Sequence, residues 1–138
     1  MKLKHSEVTD KIIKAFYEVY NELGSGFLES VYESAMEIVL KDFGLIVERQ
    51  RGLPVFFRGQ NLSLFRADLV VNHKVILELK AVKSLAPEHE AQLLNYLKAT
   101  DIEVGLLINF GPKPSFKRFV FGNSRKKIRV EPRGSAVS

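Results

Sequence analysis

Residues 75–82 read Val-Ile-Leu-Glu-Leu-Lys-Ala-Val, and apart from Glu78 and Lys80 every one is apolar. A run that apolar on both faces belongs inside a sheet. Side chains alternate along a strand, so Glu78 and Lys80 share one face and Leu79 points to the other. An isolated charge is costly to bury, so charges in such a strand are paired, metal-bound or functional. The preceding segment sharpens the point. Residues 62–71 form another strand-like run, and Asn72-His73-Lys74 reads as the turn of a hairpin. Positions 68 and 78 are equidistant from His73. A turn centred there sets Asp68 opposite Glu78, with Cβ atoms roughly 5 Å apart. Two carboxylates that close repel unless a cation sits between them. Hard oxygen ligands with room for water suit Mg²⁺ or Mn²⁺. The plainer alternative is a sheet-surface ion pair in which Lys80 neutralises Glu78. A slip of one residue in the turn would put Asp68 on the opposite face.

Around this hairpin the pattern predicts an α/β domain with a mixed β-sheet flanked by helices. Apolar residues recur at helical spacing over 6–23 (Val8, Ile12, Phe16, Val19, Tyr20, Leu23). Gly24-Ser25-Gly26 breaks the chain, and a second helix is expected over 28–42 or 28–43, with Gly44 suited to its end. Short strands are expected over 45–51 and 54–58, with a turn at Gly59-Gln60-Asn61. A helix over 87–100 opens on Pro87, with Glu88 and Glu90 in its first turn. Residues 104–110 are almost wholly apolar and read as a buried strand beside 75–82, and residues 119–121 add an edge strand. The expected order is α-α-β-β-β-β-α-β. Residues 1–122 form one domain, and residues 123–138 read as a basic, flexible tail.

Three classes of chemistry are excluded or disfavoured. With no cysteine there is no disulfide, thiolate metal site or cysteine nucleophile, which fits a reducing cytoplasm. The three histidines (His5, His73, His89) are not spaced as a zinc site. No leader-like apolar run follows the basic N-terminus, and no stretch approaches the roughly 18 apolar residues of a membrane span. The formal charge of +5 leans toward a polyanionic partner. Eight basic residues against one acid fall within residues 113–133. Such a run also reads as a solvated, solubilising tail.

The spacing Asp68…Glu78-x-Lys80 resembles the signature of the PD-(D/E)XK nuclease superfamily, an acid at the end of one strand followed by acid-x-Lys on the next. Gly26-Phe27-Leu28-Glu29-Ser30-Val31-Tyr32 resembles the G-x-x-E-x-x-Y motif that names a group of small proteins within it. Gln92-Leu93-Leu94-Asn95-Tyr96 resembles the Q-x-x-x-Y motif of exonuclease-like branches. The likeness runs in order from about Thr9 to Arg118. Ala67 stands where the signature's name has proline.

That resemblance implies a restriction-endonuclease-like core and a metal-dependent nuclease, with DNA the favoured substrate. The implied ligands of Mg²⁺ or Mn²⁺ are Asp68, Glu78, the carbonyl of Leu79, and Glu29. Lys80 would position or deprotonate the attacking water or stabilise charge at phosphorus. Gln92 would orient Lys80 or meet a phosphate, with Tyr96 hydrogen-bonding nearby. Plainer readings stand beside these: Glu29 as a helix-dipole acid, Tyr96 as core packing, and His89 as a surface residue. Arg66 and Lys83 near the site, with Lys117, Arg118, Arg125, Lys126 and Lys127, would hold the phosphate backbone, a salt-sensitive contact without sequence preference. No base-reading module is visible, so specificity would need a homodimer, a partner protein or a structured substrate. The rival readings are a non-catalytic module that binds nucleic acid or protein on the same fold, and a scaffold that binds no metal at all.

Overall fold

A computed structural model describes residues 3–126 of the chain, apart from the side chains of Ser63 and Leu64. Two helices lead, α1 (Ser6–Leu23) and α2 (Glu29–Asp42). Three strands follow, β1 (Val47–Phe57), β2 (Gln60–Val71) and β3 (Val75–Lys80). Helix α3 (Pro87–Ala99) crosses to β4 (Val104–Asn109) and β5 (Ser115–Val120). The five strands form one sheet in the order β1-β2-β3-β4-β5. Only β3 and β4 run parallel. The helical crossover between them is what a parallel pair requires.

Two apolar cores follow from strand alternation. Leu69, Val71, Val75, Leu77, Leu79, Leu106 and Ile108 face α1 and α2, against Ile12, Phe16, Tyr32 and Met36. Val70, Ile76 and Leu107 face the other way, against Leu93 and Leu97 of α3. All six residues of β4 are buried, as are the first five of β3. Of the α1 stripe predicted from helical spacing, Val8, Ile12, Phe16 and Val19 are buried, joined by Thr9 and Ala15; α2 buries Tyr32, Glu33, Met36 and Leu40.

The strands differ from expectation in three places. The two short strands expected over 45–51 and 54–58 are one strand, β1, with an irregularity between Val55 and Phe56. Pro54 is accommodated because β1 lies at the edge of the sheet, where a missing donor breaks no ladder. The β1–β2 turn is tighter than expected. Phe57 pairs with Gln60, leaving Arg58 and Gly59 at the tip, both at positive φ, as a two-residue hairpin loop demands. The last edge strand begins at Ser115 and not near Phe119; with β1 continuous, the observed order is α-α-β-β-β-α-β-β.

Residues 123–126, expected as the start of a tail, are docked. Asn123–Arg125 form a 3-10 turn, and the Lys126 ammonium donates to the carbonyls of Thr100 (2.6 Å) and Ile102 (2.9 Å) just past α3. Lys127 lies outside the described residues.

Tyr32 ties the α1–α2 loop to the core. Its ring is fully buried and stacks on Phe110 at 4.2 Å. Its hydroxyl donates to Gly24 O (2.6 Å) and accepts from Phe27 N (3.2 Å). Tyr32→Phe removes both bonds and keeps the ring. The expected loss is about 1–2 kcal/mol, read as a fall of about 3–6 °C in thermal melting. An unchanged melting temperature contradicts the hydroxyl's role.

Candidate active site

The site is built where two strands stop pairing. The β2–β3 register runs Val71↔Val75, Val70↔Ile76, Leu69↔Leu77 and goes no further. Asp68 and Glu78 are the next facing positions, in agreement with a turn centred on His73. At this step side chains replace backbone partners. The Asp68 N–H donates to Glu78 Oε2 (3.1 Å), and the Leu79 N–H donates to Asp68 Oδ2 (2.9 Å).

Strand β2 also rolls at this point. Its pairing with β1 passes from Arg49↔Leu69 to Arg51↔Ala67 and skips Gln50 and Asp68. Gln50 has a positive φ of 50°. Leu69 lies in the core under α1 and α2, whereas Ala67 and Phe65 lie in the core under α3. Positions two apart in an unbroken strand would share a face. The roll places Asp68 at the crossing between the two cores, with one carboxylate oxygen turned to Glu78's strand and the other to Gln50.

Burial then raises both acids, and the Asp68 charge adds to the rise at Glu78. Glu78 is 8% exposed, and its pKa is pushed up to about 8, first by burial and next by the Asp68 charge. The Asp68 N–H and Lys80 oppose the shift without cancelling it. Asp68 is also raised, chiefly by burial, against the Leu79 N–H, Gln50 and Lys80, with a smaller upward push from Glu29. The pair is therefore short of positive charge near neutral pH.

Lys80 ends β3, half-buried, on the strand face of Glu78. Among the described residues it forms no ion pair. Helix α3 covers this side of the sheet. Tyr96 stacks nearly parallel on Phe65, and its pKa is raised by burial and then by Glu78, while a hydrogen bond with Gln92 acts the other way. Asp68, Glu78, Lys80, Gln92 and Tyr96 thus gather in one region. His89 is a structural cap, its Nδ1 accepting from Ala86 N at the start of α3 (3.1 Å).

Glu29 departs from expectation. It is exposed at the first turn of α2, and its charge reaches Asp68 without closing a cluster. Among the described residues no three His, Cys, Asp or Glu side chains are placed to hold one ion. The acid α2 sends inward is Glu33, one turn later and 8% exposed. Glu33 accepts from Arg49 Nε (3.0 Å) and from Gln50 Nε2 (2.8 Å), and the same Gln50 nitrogen lies 3.4 Å from Asp68 Oδ1. Arg49 continues to Glu37 (3.2 Å). Sequence reasoning missed Glu33, Arg49 and Gln50. A signal existed, since Glu29, Tyr32, Glu33 and Met36 follow the i, i+3, i+4, i+7 spacing of one helix face.

The basic residues divide. Arg66 is exposed beside the site and donates to Gln50 O (2.9 Å), and Lys83 is exposed three residues past Lys80. Lys117 pairs with Glu90 of α3 (2.8 Å). The others have structural partners: Arg118 donates to Lys4 O, Arg125 lies over Phe121 at 4.6 Å, and Lys126 is held by the carbonyls after α3. Burial lowers the Lys126 pKa. Arg118, Arg125 and Lys126, expected at phosphate, thus each also make a contact within the fold.

Comparison with known proteins bears on this geometry. The family model of the PD-(D/E)XK nuclease superfamily matches residues 6–119. No curated protein matches the chain. A solved structure, the crystal structure of SSO0001, has a similar fold with a TM-score of 0.51 at 20% identity; the match covers 86% of this chain and 59% of that one. The chain thus spans less than two thirds of that structure's length, and at this identity the likeness concerns the fold. The matched region contains both splayed strands, both carboxylates and Lys80, and the chain belongs to the PD-(D/E)XK nuclease superfamily.

Proposed function

We propose that the protein is a metal-dependent nuclease that hydrolyses phosphodiester bonds of nucleic acid, with DNA the favoured substrate. Within the superfamily we place it in the GxxExxY group, on Gly26, Glu29 and Tyr32. The observation that carries the reading is the Asp68–Glu78 pair. Each carboxylate accepts one backbone N–H from the opposite strand, leaving its other oxygen free of that bond.

The donor set suits a hard divalent cation. Asp68 and Glu78 offer oxygen only, are crowded, and carry raised pKa values that a cation would relieve. Among the described residues no third acid closes a cluster with them, so the fit is to an ion that keeps several waters, as Mg²⁺ does, or to Mn²⁺. Asp68, Glu78 and the Leu79 carbonyl would hold it, with Glu29, whose charge reaches Asp68, as a further oxygen donor. A bound ion supplies Lewis-acid charge at the phosphate and at the attacking water. The chain's own residues do the rest. Lys80 projects from an otherwise apolar strand and directs its ammonium protons to the attacking water or to the phosphate oxygens as charge develops there. Gln92 and Tyr96 hydrogen-bond to the phosphate from α3. Gln50, braced by Glu33, fixes the outer oxygen of Asp68. Arg66, Lys83 and Lys117 attract the backbone of the nucleic acid.

A binding module without cleavage is the second reading. It is favoured by one observation, the lack of a three-acid cluster among the described residues.

Cleavage of labelled DNA and RNA with Mg²⁺ or Mn²⁺ separates the two. Glu78→Ala and Lys80→Ala are expected to lower the rate at least ~100-fold with unchanged circular dichroism, a loss in the range of removing one electrostatic contact to the transition state. Wild-type cutting that persists in both variants rejects the assignment, and binding without any cutting selects the second reading.

The acid pair also sets a pH dependence. Glu78 is raised in the folded state, so between about pH 4.5 and about pH 8 the native chain holds a proton that the unfolded chain has released. Without divalent ions, stability contributed by protonated Glu78 is present at low pH and lost as pH rises through about 8. Glu78→Gln should flatten that decline and stabilise the metal-free protein at pH 8.5 by roughly 2–4 kcal/mol. Denaturant melts at several pH values check this, and a wild type whose stability rises steadily over the window contradicts it.

A further inference from the structure

A cavity of about 360 Å³ opens beyond the C-terminal ends of β3 and β4. Its walls are three short segments: 25–27 from the α1–α2 loop, 81–83 after β3, and 110–112 after β4. Two of these walls adjoin candidate site residues in sequence. Ala81 follows Lys80 directly, and Glu29 lies two residues past Phe27.

Each wall is held by a dedicated polar contact. The Tyr32 hydroxyl fixes the first through Gly24 O and Phe27 N. The Asn109 amide fixes the second, accepting from Val82 N and donating to Val82 O, both at 2.9 Å. The Tyr20 hydroxyl reaches the third at Gly111 O (3.0 Å) and Pro112 O (2.9 Å). Gly111 permits the closest approach, since a Cβ there would collide with Val82 O. The cavity is thus a braced feature of the fold.

Its chemistry is specific. The lining is mostly apolar, with the fully buried Phe110 among it; its polar side chains are Ser25 and a single cation, the exposed Lys83. Phe27 also lines it, edge-on to Tyr32 and 47% exposed. An aromatic ring left half in water is an available stacking surface, and stacking on aromatic side chains is how proteins take hold of unpaired bases. The volume falls at the lower end of small-ligand pockets.

We propose that this cavity receives an unpaired nucleobase of the strand whose phosphate lies at Asp68 and Glu78, with Phe27 as the stacking ring and Lys83 on the adjoining phosphate. The proposal rests on the nuclease reading and narrows it. A base locked in a duplex cannot enter, so the substrate is a single strand, flap or other unpaired segment.

The test is fluorescence anisotropy with short labelled single strands and blunt duplexes, with Ca²⁺ in place of Mg²⁺ so that binding is read without turnover. Phe27→Ala should weaken single-strand binding roughly 5- to 100-fold, the range for losing one stacked base, and leave blunt-duplex binding unchanged. Phe27→Trp should restore it. Thermal melting of each variant separates loss of the ring from loss of the fold. Equal single-strand affinity for wild type and a folded Phe27→Ala overturns the proposal, even if the wild type cuts DNA. The predicted loss in a protein that never cuts under Mg²⁺ or Mn²⁺ supports the base pocket and rejects the nuclease reading.

Discussion

Everything at the site depends on the two hydrogen bonds that replace the β2–β3 ladder, Asp68 N–H to Glu78 and Leu79 N–H to Asp68. They solve a problem the separating strands create. Buried backbone donors need acceptors, and past Leu69↔Leu77 the β2–β3 ladder no longer supplies them. Carboxylates fill that need and are thereby fixed in position. The same bonds crowd two acids into a poorly solvated place. The stress raises both pKa values, and a cation is its natural relief. Strand geometry and metal affinity are in this sense one feature.

The surroundings hold that arrangement from both faces of the sheet. On one face α2 brings Glu33 inward, and the Arg49–Glu33–Gln50 contacts tie the roll of β1 and β2 to the helix. On the other, α3 lays Tyr96 on Phe65, just beyond the roll. The two apolar cores meet the sheet on opposite sides, so Asp68, at the point where β2 passes from one to the other, is constrained by both. The α1–α2 loop, held by Tyr32, brings Phe27 to the same end of the sheet.

Much of this was legible in the sequence. Helix α1 declared itself by its stripe, α2 by the glycines that bound it, and the Asp68–Glu78 facing followed from the hairpin about His73. What escaped was nonlocal. That β1 is continuous through Pro54 depends on its being an edge strand, which no local pattern states. Glu29 and Glu33 are one turn apart on α2, and only the packing angle of the helix decides that Glu33 is the buried one. Gln50 gained its role from a positive φ at a roll that alternation rules do not anticipate. Charge alone is visible in the basic residues near the C-terminal end, and the docking of Lys126 on the open carbonyls after α3 is not.

The most direct measurement is the ionisation of Glu78 itself, followed by carbon-detected NMR of its side-chain carboxylate in metal-free protein and again with Mg²⁺. The structure predicts a midpoint near 8 without metal. It should fall with Mg²⁺, since ion and proton compete for the same oxygens. A midpoint in the ordinary range for glutamate, unmoved by Mg²⁺, would contradict the account. It would show that the splayed strands do not crowd the two acids and that the pair is no cation site.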